Sequence, residues 1–205
     1  MCEICGKRTT NITVNNINYT ICSSCGFLSK TKEFIPSVTD EYNRYLLHDN
    51  DTNDGYIKYQ ENFYNSIEKF LGENVLDFGC GNNHILANII NENNINSSYF
   101  DIYFYPDESY KKSLYDAIIM EEVIEHLSDP VSVLKELISL LEENGKLIIK
   151  TMFIKEDTNL KNWWYLRDIT HISFFSFETF SYLSKLLSLE IIYCNDKDLI
   201  ILQKA

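Results

Sequence analysis

Residues 74–86 read NVLDFGCGNNHIL, and this stretch decides the fold. Val75, Leu76 and Phe78 have the apolar density of a strand buried in a parallel sheet. Gly79 and Gly81 then permit a turn whose backbone can approach a ligand without a Cβ in the way. Ile85, Leu86, Ile89 and Ile90 follow at helical spacing. The unit is therefore strand, glycine turn, helix. A dinucleotide site would need a third glycine where His84 stands, so that a pyrophosphate could rest on the helix N-terminus. Asp77, at the strand end, would repel phosphate. A carboxylate there suits a ligand that carries an ammonium and a sulfonium, which describes S-adenosylmethionine.

Working outward, Ser97–Asp101 reads as a second strand whose terminal Asp101 lies about 20 residues past the glycines, where a Rossmann-type fold sets an acid against ribose hydroxyls. The alternative is a strand-end cap. Asp116–Glu121 has a buried-strand pattern. Ser128 or Asp129 can cap a helix that begins at Pro130. Val131, Leu134, Ile138 and Leu141 form its apolar face, and Gly145 is expected to end it. Lys146–Met152 follows as a strand and Ser176–Leu187 as a helix. Glu190–Cys194 and Leu199–Leu202 flank a polar turn as an antiparallel hairpin. The expected fold class is α/β: a Rossmann-like doubly wound sheet over residues 72–205 with a terminal antiparallel hairpin.

With these motifs in place, the chain resembles the class I methyltransferases, and in particular the branch of the ubiquinone-biosynthesis O-methyltransferases. VLDFGCG (75–81) matches that family's first motif and EEVIEHLSDP (121–130) its fourth. The resemblance covers residues 72–205. It implies Asp77, Gly79 and Gly81 around the methionine moiety, Asp101 on the ribose, and Glu121 near the cofactor. RYLLHDND (44–51), YFDIYFYP (99–106) and WYLRDITHISFFS (164–176) also resemble a subgroup of small zinc-ribbon methyltransferases. Two departures stand out. Asn83 replaces the family's third glycine, although asparagine tolerates the left-handed conformation better than most residues. The stretch from Asp101 to Asp116 is short for a full helix and third strand, so the usual acidic adenine contact has no assigned residue.

At the other end of the chain, Cys2-x-x-Cys5 and Cys22-x-x-Cys25 are each followed by glycine and are separated by 16 residues. Two such knuckles can complete a tetrahedral four-sulfur zinc shell with no open position, which makes the ion structural. Asn11–Thr20 alternates Ile12, Val14 and Tyr19 with polar residues, as a short hairpin would. Disulfides or unpaired core cysteines are the alternatives. Disulfides suit a secreted chain, and no basic region followed by an apolar stretch follows Met1. Residues 1–32 are expected to be a zinc ribbon in a cytoplasmic protein. Cys194 reads as core filler.

Candidate acceptor chemistry clusters after two strands. Glu121, Glu122, Glu125 and His126 follow one; Arg167, Asp168 and His171 follow the next, through Trp163, Trp164 and Tyr165. His126 and His171 are the candidate general bases, if they converge beside the methyl group. Alternatively, Glu122 and His126 form a helix-surface pair, or His126 orients the loop. Asp168 could orient His171. Alignment alone can supply much of the rate, so a base is not obligatory. Residues 33–71 hold Tyr42, Tyr45, Tyr56, Tyr59, Phe63 and Tyr64, either as a helical lid or as packing between domains.

The charge of the chain bears on its partners. Residues 1–32 carry a balance of +3 within a total of −12, which leaves −15 on the body. An acidic body disfavours a large nucleic-acid footprint. No apolar run approaches the roughly 20 residues that would span a membrane. The expected activity is methyl transfer from S-adenosylmethionine to a small-molecule acceptor. An RNA or protein substrate recruited through the ribbon and a non-catalytic scaffold, SAM-binding or built on the zinc ribbon, are the alternatives.

Overall fold

The computed structural model describes residues 1–47 and 54–204. Its centre is a six-stranded sheet built from β4 (Asn74–Phe78), β5 (Asn96–Phe100), β6 (Tyr115–Glu121), β7 (Leu141–Lys150), β9 (Leu189–Cys194) and β10 (Leu199–Lys204). The order is β5-β4-β6-β7-β10-β9. The first four strands are parallel, and β10 runs antiparallel to both β7 and β9. This is the Rossmann-like sheet with the terminal hairpin.

Alternation along the central strands sends successive side chains to opposite faces, as a pleated sheet requires. Ile118 and Met120, Leu147 and Ile149, and Ile200 and Leu202 share one core with Leu134 and Leu137 of α4 (Pro130–Ser139) and with Phe180 and Leu183 of α5 (Phe177–Leu186). Ala117 and Ile119, Ile148, and Leu199 and Ile201 share the other core. Its helical side comes from Phe63, Tyr64 and Ile67 of α2 (Asp54–Ile67) and from Leu86 and Ile90 of α3 (Ile85–Glu92). Both faces are covered, so the sheet is doubly wound.

Local signals set the helix ends. Asp129 caps α4 through the Ser132 amide with Pro130 in its first turn, and Ser176 with Thr179 forms a capping box on α5. Gly145 does not end α4. That helix stops at Ser139, and Gly145 lies within the long strand β7, which starts earlier than expected because Leu141 registers with Tyr115. Between Asp101 and Asp116 the described chain makes a tight turn and one short helical turn at Glu108–Lys112. No third strand intervenes there, and β5 is the sheet edge.

Residues 1–30 form β1 (Thr10–Val14), β2 (Ile17–Ile21) and β3 (Leu28–Lys30). This antiparallel sheet gains a fourth strand from the far end of the chain, β8 (Ser173–Phe174), so its order is β1-β2-β3-β8. Tyr19, Leu28, Tyr165, Leu166 and Phe174 make a third small core between the two sheets. Helix α1 (Val38–Leu46) buries no residue. Part of the 33–71 segment and of the 44–51 motif, residues 48–53, lies outside the described residues. Among the described residues no helix is long and apolar enough to cross a membrane.

Candidate active site

The carboxyl ends of β4, β5, β6 and β7 converge, which is where open α/β sheets bind their ligands. At the first of these, Gly79 has φ +84° and donates its amide to Phe100 O at 2.7 Å. A Cβ on Gly79 would overlap the Val123 side chain, so this glycine is required by protein packing. Gly81 has φ +69°, and a Cβ there would meet nothing within 4 Å, so its face of the turn is open to a ligand. Asn83 Nδ2 and His84 Nδ1 in the same loop, and Gln60 Oε1 from α2, are buried without a hydrogen-bond partner. An open glycine face, with unsatisfied buried polar atoms in the same loop and on α2, fits a polar ligand such as S-adenosylmethionine, because each such atom costs free energy until something pairs with it.

Asp77 is only 3% exposed and receives a hydrogen bond from the Ala87 amide. Burial, reinforced by the nearby Glu121 carboxylate, raises its pKa to about 8. A cation arriving beside it would favour the ionised form. Asp101 caps the turn. Its Oδ1 accepts the Tyr103 and Phe104 amides at 2.8 and 3.1 Å, while Oδ2 accepts the Gly81 amide at 3.1 Å. An ionised carboxylate has about four acceptor sites, so three amides leave room for a ribose hydroxyl. Glu121 is ion-paired with Lys150 at 2.7 Å and accepts a hydrogen bond from Gln60 at 2.8 Å.

The acceptor side is built from a turn and a loop. Glu122 has φ +52° and lies outside any helix, so the alternative reading of a helix-surface pair with His126 does not hold. Glu122 and the fully buried Glu125 instead share the Tyr165 hydroxyl. Burial raises both carboxyls, Glu125 well above the ordinary range. His126 and His171 come together with ring centroids 4.9 Å apart. His126 Nδ1 lies 3.0 Å from Thr170 O, and His171 Nδ1 lies 2.9 Å from Tyr165 O. Each carbonyl accepts from Nδ1, so that nitrogen carries a proton on both rings, and on a neutral ring the lone pair lies on Nε2. Burial pushes the His171 pKa down to about 4, so the ring is neutral at pH 7. The orienting group for His171 is therefore the Tyr165 carbonyl. Asp168 turns to Arg44 at 2.8 Å and to Thr170. The ligand atoms of Glu125, His126 and His171 lie within 4.8 Å of one another, close enough to hold a cation.

Helix α1 joins the two sides. Glu41 accepts the Tyr103 hydroxyl, two residues beyond Asp101, at 3.0 Å, while Arg44 reaches Asp168 on the His171 loop. Tyr45 packs on both Tyr103 and His126. Gln60 and Lys150 escaped the sequence analysis, and Arg44 and Tyr165 entered it only as parts of a motif and of an aromatic loop. Only Lys150 had a legible signal, the parallel register that sets it beside Glu121.

At the N-terminus the four cysteines converge as free thiols. The Cys2–Cys25 and Cys5–Cys22 sulfurs lie 3.6 and 3.4 Å apart, and all four lie within 4.8 Å. Zn–S bonds of about 2.3 Å at tetrahedral angles put sulfurs about 3.8 Å apart, so the cluster fits zinc. Burial pushes the Cys2 and Cys25 thiols up, a cost that a bound cation reverses.

A family model for a methyltransferase domain matches residues 41–192. The chain belongs to that family of methyltransferase domains. No curated protein matches the sequence. Among solved structures, an O-methyltransferase family protein from Burkholderia thailandensis aligns over 80% of this chain and 63% of its own, with 13% identity and a TM-score of 0.58. The chain thus spans less than two thirds of that relative's length. A SAM-dependent methyltransferase from Archaeoglobus fulgidus is covered completely by 82% of this chain, at 17% identity and a TM-score of 0.55. The mitomycin 7-O-methyltransferase aligns over 80% of this chain and 60% of its own, at 9% identity and a TM-score of 0.54.

Proposed function

We propose that the protein transfers the methyl group of S-adenosylmethionine to a small-molecule acceptor held between α1 and the His171 loop. The convergence of His126 and His171 at one end of the sheet carries this reading, since an imidazole there, the neutral His171 ring in particular, can take a proton from an acceptor hydroxyl or amine. The bound cofactor supplies an electrophilic methyl. Asp77, Gly79, Gly81, Asp101 and Glu121 form its site, with Asp77 and Glu121 offering negative charge to the amino-acid end. One of the structural neighbours is named for methylation of a small molecule, mitomycin, which supports an acceptor of that size. The first and fourth motifs favour the ubiquinone-biosynthesis branch. Three parts serve this function: a zinc ribbon at 1–32 held by Cys2, Cys5, Cys22 and Cys25, an aromatic segment at 33–71 whose α1 acts as lid, and the methyltransferase domain at 72–205. An RNA substrate would need a cationic face, which the acidic body does not favour.

His171→Ala is expected to lower turnover by about 100-fold or more while leaving cofactor affinity nearly unchanged. Unaltered turnover of the true acceptor would return His171 to a packing role. A second reading sets a divalent cation among Glu125, His126 and His171 to hold an acceptor oxygen. Turnover that is lost on chelation and restored by added metal would favour it over the base.

Asp101→Ala is expected to weaken binding of S-adenosylmethionine about 10- to 100-fold in isothermal titration. Charged hydrogen bonds contribute roughly 1.5–3 kcal/mol each, and the variant also frees the Gly81 amide. If folded wild-type protein binds neither the cofactor nor its demethylated product, the scaffold reading replaces catalysis. Mass spectrometry of co-purified ligands would identify the acceptor class.

A further inference from the structure

Lys30 ends the last ribbon strand and is 6% exposed. A buried ammonium is costly unless its hydrogens are used. Here Nζ donates to Ile169 O at 2.8 Å and to Asp168 O at 3.3 Å. The Lys30 amide donates to Ile172 O at 2.9 Å, and the next two residues of that segment pair with Leu28 and Ser29. One ribbon residue thus grips the chain on both sides of His171. Burial moves its pKa down to about 8, which keeps it charged at neutral pH.

The opposite side of the same segment is held by the acidic turn. Ile172 donates its amide to Glu125 O at 2.8 Å, the Ser173 hydroxyl donates to Leu127 O at 2.8 Å, and His126 Nδ1 meets Thr170 O. The His171 segment is a strap stretched between ribbon and sheet. The carboxylate of Asp168 is engaged by Arg44 and Thr170, which leaves the Asp168 and Ile169 carbonyls as the groups that Lys30 serves.

We propose that Lys30 is a positioning residue that holds the 168–172 strap, and with it the His171 imidazole, in place from the zinc ribbon. The inference rests on the proposed function only in setting His171 at the acceptor. It makes the ribbon part of the acceptor wall, so that disturbance of the ribbon reaches the acceptor step before it reaches the cofactor.

The test is nuclear magnetic resonance of the full zinc-loaded chain, compared with Lys30→Met, which fills the same volume without donors. The expected result is loss or displacement of the His171 Nδ1–H resonance and at least tenfold faster amide exchange at Thr170 and Ile172. Amide exchange in β4 and β6, zinc content and affinity for S-adenosylhomocysteine should stay within twofold of wild type. Lys32→Met, at an exposed position two residues on, should change none of these. An unchanged His171 signal and unchanged exchange at 170 and 172 would overturn the proposal. Should Lys30→Met fail to fold, the wild type decides: a slowly exchanging Lys30 ammonium signal supports the grip on the carbonyls, and a freely exchanging one overturns it. Failure of wild-type protein to bind S-adenosylhomocysteine would count against the methyltransferase reading and leave the positioning result standing.

Discussion

Replacing Cys22 by serine is expected to release the ribbon's zinc and unfold its knuckles, while residues 72–205 continue to bind cofactor. Residues 1–32 are too few to bury an independent core, and binding of a four-sulfur zinc contributes on the order of 10 kcal/mol to the folding of such a module. Cys22 is fully buried among Cys2, Cys5 and Cys25, so a hydroxyl there removes one ligand and leaves three thiolates uncompensated. The glycine turn sits on β4 and β5, whose strand partners are β4, β5 and β6, and none of these pairs with the ribbon sheet. Elemental analysis should give about one zinc per wild-type chain and much less for the variant. Titration with S-adenosylmethionine should give similar affinities for both. Zinc-free native protein with all four cysteines oxidised would end the metal assignment.

Gly79→Val is expected to weaken cofactor binding more than about 100-fold. The left-handed backbone at φ +84° costs a branched residue roughly 1–3 kcal/mol, and overpacking against Val123 costs a similar amount. Either cost relaxes only by moving the turn that offers Gly81 to the ligand or the one that leads to His126. Val123→Ala in the same chain relieves the overlap but not the backbone strain, so the double variant should recover part of the affinity. A Gly79→Val protein that is folded and binds normally would remove this turn from the cofactor site.

The convergence of the two histidines separates what patterning can reveal from what it cannot. His126 and His171 were candidates by type and by their place after two strands. Their approach to 4.9 Å depends on Ile172 and Ser173 bonding to backbone groups near residue 126 and on β8 pairing with β3. Glu122 illustrates a limit of spacing: four residues before His126, it matches a helical pair, yet its positive φ and its bond to Tyr165 belong to a turn. Asp101 kept two readings open because one carboxylate can cap a turn and face a ribose, and its three amide partners leave room for both.

By itself the sequence determined the parallel sheet, its glycine turn, the terminal hairpin and the paired cysteine knuckles. Each is local: apolar period, positive-φ residues, caps and CxxC spacing act within a few residues of one another. Tertiary structure alone decided that Glu121 pairs with Lys150 and that α1 bridges the two halves of the site. It also decided that the ribbon takes its fourth strand from residues 173–174 and buries Lys30 beside the strap that carries His171. These outcomes join residues up to 146 positions apart. No periodicity spans such a separation; the pairing follows from which backbone carbonyls and apolar faces are left unsatisfied once the local elements have formed.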